Sequence, residues 1–111
     1  LPPRERELAI LRTGYNCGAG YEWTQHRAIG LEAGLTEREI EGIKQGPDEP
    51  SWSAIDRPNH NACDELTRDL HVSDATWAAL APLGDKARMV YALGQETAAL
   101  GQARSMLEAA E

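Results

Sequence analysis

The chain has 111 residues, a formal net charge of −7, 41% hydrophobic and 26% charged residues. That length supports one domain with a real core and no more, and the balance of residues excludes a disordered chain. The acidic surface argues against a nucleic-acid partner, which needs a basic face.

No apolar run approaches membrane-spanning length and no signal-peptide pattern opens the chain. Two distant cysteines make no disulfide framework. A cytoplasmic protein without a membrane partner is therefore expected.

Pro2 and Pro3 suit the start of a first helix, where a missing N–H does no harm. Leu8 and Leu11 fall on one side of it. Gly14, Gly18 and Gly20 then interrupt the pattern and predict a turn. A second helix opens near Ala19 or Gly20 and runs to Ala33, with Gly34 in the usual C-terminal position. On that helix Glu22 and His26 are four residues apart, on one face and one turn from each other. The short connection favours antiparallel packing, which brings Glu7 of the first helix towards His26. An imidazole between two carboxylates holds its proton more firmly, keeps one tautomer and can donate at neutral pH. On spacing alone such a Glu–His pair is more often a solvated surface pair, contributing a few tenths of a kcal/mol.

Thr36 and Glu39 form a capping box for a short third helix that buries Ile40 and Ile43 and ends before Gly46, with Leu35 and Ile40 at the spacing of a hydrophobic staple. Residues 46–51, with two prolines and a glycine, form a loop. Trp52 follows it as an anchor in the core or at an interface, with a pocket roof as the alternative. The next helix starts near Ser53 or Ala54, keeps Pro58 in its early turns, and continues through Ala62, Leu66 and Leu70. His60 and Asp64 share helical i, i+4 spacing, with Cys63 adjacent and His71 further on. A zinc site needs three or four converging ligands, and nothing nearby completes that set, so no metal is expected and Cys63 reads as a small buried residue.

Ser73 caps a helix from Asp74 to about Leu80, with Trp77 and Leu80 on one face, closed by Pro82 and Gly84. Asp85 caps a long last helix through Met89, Val90, Leu93, Leu100, Met106 and Leu107. Its small-residue centre, 92–101, predicts close core packing, with a subunit interface as the runner-up. No internal repeat and no dinucleotide-binding glycine loop is present. The expectation is all-α, about six helices.

The run Arg4-Glu5-Arg6-Glu7-Leu8, then Tyr21-Glu22-Trp23-Thr24-Gln25-His26, then Ala33-Gly34-Leu35-Thr36, resembles the carboxymuconolactone decarboxylase family. The likeness is close over the first half of the chain and loose beyond it. That family is similar in fold to the alkyl hydroperoxidase D proteins. The resemblance implies an alkyl hydroperoxidase D-like helical bundle and a homo-oligomer (dimer, trimer or hexamer), with no metal or organic cofactor. It also implies helices ahead of the Arg-Glu-Arg-Glu segment, so residues 1–111 read as a single domain lacking the N-terminal helices of a longer protein.

The hydroperoxidase branch carries Cys-x-x-Cys-x-x-x-His with an upstream glutamate. With its histidine placed on His26, the glutamate falls on Glu7 and the two cysteines fall on Ala19 and Glu22. Peroxide reduction by that motif needs an attacking thiolate and a resolving thiol, and neither position supplies one. The decarboxylase branch has a glutamate four residues before the histidine, as Glu22 is here. What it implies is loss of carbon dioxide from a carboxylated unsaturated lactone, a lyase reaction on a small-molecule substrate.

The roles implied are His26 as general acid, Glu22 as proton relay and Glu7 as orienting carboxylate, with Tyr21 and Trp23 lining the pocket. One of Arg4, Arg6, Arg12 and Arg27 would hold the substrate carboxylate. Two alternatives stand beside this reading. One is a thiol-dependent peroxidase using Cys17; the other is a catalytically silent, oligomeric binding protein on the same fold.

Overall fold

A computed structural model describes residues 1–69 and 71–85. Every element in it is helical: α1 (Pro3–Asn16), α2 (Gly20–Ala33), α3 (Glu37–Gln45), α4 (Asp56–Asp69) and α5 (Asp74–Ala79), then a 3₁₀ turn at Ala81–Leu83. The expected last helix, with Met89 to Leu107 and its small-residue centre, lies outside the described residues, as does Leu70. Among the described residues no helix is long and apolar enough to cross a membrane.

Local chemistry sets most of the boundaries. Pro3 occupies the first turn of α1, where no N–H is required. Gly18, at φ 67°, turns the chain into α2. Gly34, at φ 112°, ends α2, and the Leu35 N–H donates back to the Gly30 carbonyl at 2.9 Å. The capping box of α3 is complete: the Glu39 N–H donates to the Thr36 hydroxyl (3.1 Å) and the Thr36 N–H to the Glu39 carboxylate (2.9 Å). The fourth helix starts at Asp56, later than the expected Ser53 or Ala54. Ser53 instead receives the Asp56 N–H on its hydroxyl at 3.2 Å, standing ahead of the helix rather than in it.

The main core is built where α1, α2 and α3 meet, from buried Leu8, Leu11, Leu35, Ile40, Ile43 and Trp52, with Trp23 and Leu31 packed against it. Each fully buried leucine or isoleucine there contributes about 2 kcal/mol. Trp52 is the anchor expected after the loop, its indole N–H donating to the Gly46 carbonyl at 2.9 Å. A smaller cluster of Ala62, Val72 and Leu80, with Leu66, Trp77 and Leu83 against it, joins α4 to α5 and the turn beyond.

The first helix is the hub. Contacts pairing Glu7 with His26, and Tyr15 with Trp23, show that α2 runs antiparallel to it. Contacts pairing Arg4 with Asp56, Glu5 with Asn59, Ala9 with Cys63 and Arg12 with Asp64 show that α4 runs parallel to it. Gly30 permits the close approach of α2. A Cβ there would lie 3.1 Å from Leu35 Cδ1, 3.4 Å from Leu11 Cδ1 and 3.8 Å from Glu7 Cβ.

Candidate active site

Glu7 points from α1 into the seam with α2 and is only 2% exposed, an expensive place for a carboxylate unless it is partnered. Its Oε2 lies 2.8 Å from His26 Nδ1, and the imidazole keeps 28% of its surface exposed. A carboxylate accepts, so the bond assigns the proton of the neutral ring to Nδ1 and leaves Nε2 for chemistry. In that state Nε2 takes a proton; in the imidazolium it gives one. The other oxygen of Glu7 has Arg6 Nη2 at 3.4 Å.

Glu22 does not join this pair. It is exposed, and among the described residues no hydrogen bond connects it to His26. The i, i+4 spacing places both on one stripe of α2, but the Nδ1 bond draws the imidazole towards α1. The expectation of a histidine held between two carboxylates is therefore corrected to a Glu7–His26 dyad, with Glu22 one turn away.

Tyr21 is corrected as well: it is 74% exposed and lines none of the described cavities. Trp23 is half-buried against the core and lines a shallow cavity of about 430 Å³ with Tyr15, Gly18 and Lys44. Lys44 Nζ sits 5.4 Å from the centre of its ring.

A separate groove of about 490 Å³ runs along α1 between Glu22 of α2 and the α4 residues Cys63 and Leu66, with Arg6, Ile10 and Cys17 in its wall. Its lining stops one helical turn short of His26. Cys17 is exposed and carries a free thiol, and Cys63 is a buried free thiol. The Cys63 S–H donates to the Ala9 carbonyl at 3.6 Å. Burial pushes the Cys63 thiol up to about 12, which makes it inert as a nucleophile.

Three of the four candidate arginines are already committed. Arg4 grips Asp56 with two bonds, 2.7 and 2.9 Å, and also pairs with Glu39. Arg12 binds both Asp64 oxygens (2.7 and 3.1 Å) and donates to the Ile43 carbonyl at 2.8 Å. Arg27 pairs with Glu37.

The Arg4–Asp56 and Arg12–Asp64 pairs went unread in the sequence, because partners on different helices leave no local pattern. Asp64 also accepts from Asn16 at 2.7 Å. His60 packs against Trp52 with ring centres 4.6 Å apart, and neither ring nitrogen has a protein hydrogen-bond partner among the described residues. Burial, and then the charge of Arg12, pull its pKa down to about 4. Among the described residues no group of three or more His, Cys, Asp or Glu side chains is placed to hold a metal ion.

Residues 1–44, which include Glu7, Glu22 and His26, match the model of the Carboxymuconolactone decarboxylase family. No curated protein and no solved structure matches the chain.

Proposed function

We propose, from the match of residues 1–44 to the model of the carboxymuconolactone decarboxylase family, that the protein is a cofactor-free acid–base enzyme acting on a small carboxylated lactone or a related enolisable acid. The observation that carries this reading is the 2.8 Å contact between buried Glu7 and the partly exposed ring of His26. It is the arrangement a general acid needs: one nitrogen held, the other presented outwards.

In the proposed reaction the bond between the substrate carbon and its carboxylate breaks, and carbon dioxide leaves. The bond electrons pass into the conjugated carbonyl as a dienolate, so the substrate is its own electron sink. The imidazolium of His26 stabilises that charge and then delivers the Nε2 proton to carbon. His26 keeps its Nδ1 proton throughout, donated in a hydrogen bond to Glu7, and the ionised Glu7 carboxylate offsets the positive charge of the ring. Glu22, exposed on the groove wall one turn before His26, returns a proton from solvent. A homo-oligomer belongs to the same reading.

The peroxidase alternative is weaker. Cys17 is exposed, but the other thiol on the groove is held protonated by burial.

The test is turnover of carboxylated unsaturated lactones in deuterated water, followed by carbon dioxide release and by deuterium incorporation at carbon. His26→Gln should lower the rate at least about 100-fold with the fold intact. A His26→Gln protein as fast as the parent would overturn the reading. In the imidazole ¹⁵N spectrum, the neutral ring of the parent should carry its proton on Nδ1, and Glu7→Gln should move it to Nε2.

A further inference from the structure

We infer that Arg6 anchors a substrate carboxylate in the groove between α1 and α4, and that the ligand is a small acid whose apolar body lies along Ile10 and Leu66. The inference rests on the acid–base reading for its chemistry, while its binding can be tested alone. Arg4, Arg12 and Arg27 are each closed by carboxylate partners. Arg6 is different: its side chain is 50% exposed, and among the described residues its one partner is Glu7 at 3.4 Å, beyond a strong charge-assisted bond. A guanidinium with most of its donor fork free is the group best suited to a planar carboxylate.

Its surroundings point the same way. Among the described residues Arg6 is the only basic side chain in a groove otherwise walled by Leu1, Ala9, Ile10, Leu66 and the two cysteines, with Thr13 and Glu22 as polar points. A volume of about 490 Å³ lies within the usual range for small-molecule sites. Arg6 also touches the carboxylate that holds His26, so an acid seated on it is brought towards the dyad.

The chemistry narrows the substrate further. An arginine stabilises a carboxylate in the ground state, which slows its loss as carbon dioxide. The group held by Arg6 is therefore the acid that stays, and the carbon that is protonated belongs to another part of the molecule.

Amide NMR titration at neutral pH with benzoate, and with its neutral isostere benzamide, tests the site. Benzoate should shift the amides of Ile10, Thr13 and Glu22. Arg6→Gln should weaken benzoate at least tenfold while leaving benzamide within twofold, and Arg6→Lys should restore part of the loss. Equal binding of benzoate and benzamide, or benzoate binding indifferent to Arg6→Gln, would overturn the inference. So would the absence of shifts along the groove in the parent protein, which would mean that other residues of the chain or a second copy cover it. The imidazole tautomer, read on the same samples, separates the two readings. A Glu7-dependent Nδ1 proton with no benzoate effect removes the anchor alone; an anchor without that dependence removes the acid–base dyad alone.

Discussion

On its α2 side, α1 presents buried Glu7 to the imidazole of His26; on its α4 side it presents Arg12 and Arg4 to Asp64 and Asp56. Both sides pair a carboxylate with a nitrogen base, yet they do different work. A guanidinium stays charged at every pH a protein survives, so the α4 side is a fixed clamp. Burial pushes the carboxyls of Asp64 and Asp56 up. Bonds from Arg12 and Asn16 in one case, and from Arg4 and Ser53 in the other, outweigh it and leave both below the usual carboxylate range. The imidazole of His26 is held at one nitrogen and presents the other, so the α2 side has a site where a proton can be exchanged. The lesson is that a buried carboxylate marks reactivity or rigidity according to the base that faces it.

The largest expected effect separates the two sides by activity. His26→Gln should cost about 10²–10⁴-fold in turnover with little change in denaturant midpoint. Asp64→Asn should leave turnover per folded molecule unchanged and lower stability by about 2 kcal/mol, by leaving Arg12 half-buried and poorly paired. Urea titration alongside the lactone assay checks both, and an inactive, fully folded Asp64→Asn protein would break the contrast.

Acid should loosen the α4 side next. His60 is neutral when folded down to about pH 4, while in the unfolded chain it takes a proton near the ordinary histidine value of 6.5. The unfolded state therefore binds more protons between those values, and stability falls as pH drops from about 6.5 to 4, by about 3 kcal/mol in all. The depressed Asp56 and Asp64 carboxyls add a second loss below the ordinary aspartate value of 3.8. His60→Leu should abolish the upper limb of a stability–pH curve and leave the lower one.

Gly30→Val should overpack the α1–α2 contact and cost about 2 kcal/mol. It should also pull His26 from Glu7, seen as loss of the Nδ1 proton signal. The smallest effect is that of Thr36→Ala, about 1 kcal/mol from the lost cap of α3. It should alter neither side of α1, and a changed imidazole spectrum in that variant would show that the two sides are coupled through α3.

What could be read along the chain was local. Gly34 closing α2, and Thr36 with Glu39 opening α3, stand where residue spacing put them, because each cap is completed within five residues. The Glu7–His26 contact was legible for a related reason: two helices joined by a short glycine turn have little choice but to lie antiparallel. Whether Glu22 meets His26 directly was not legible, because helical spacing says which side chains share a face, not which partner the imidazole turns towards. Tyr21 was misjudged because position beside a reactive residue says nothing about which way a ring points.

The sequence by itself determined α1 to α3, the caps at Gly34 and Thr36 and the turn at Gly18, and it nominated the acid–base residues, since these depend on contacts within a turn or two of chain. Only the tertiary structure decided that α4 lies parallel to α1, that Arg12 and Arg4 are taken by aspartates 52 residues away, and that among the described residues Arg6 meets only Glu7, at 3.4 Å. Those outcomes depend on which surfaces are pressed together after the helices form, and residue spacing does not record that.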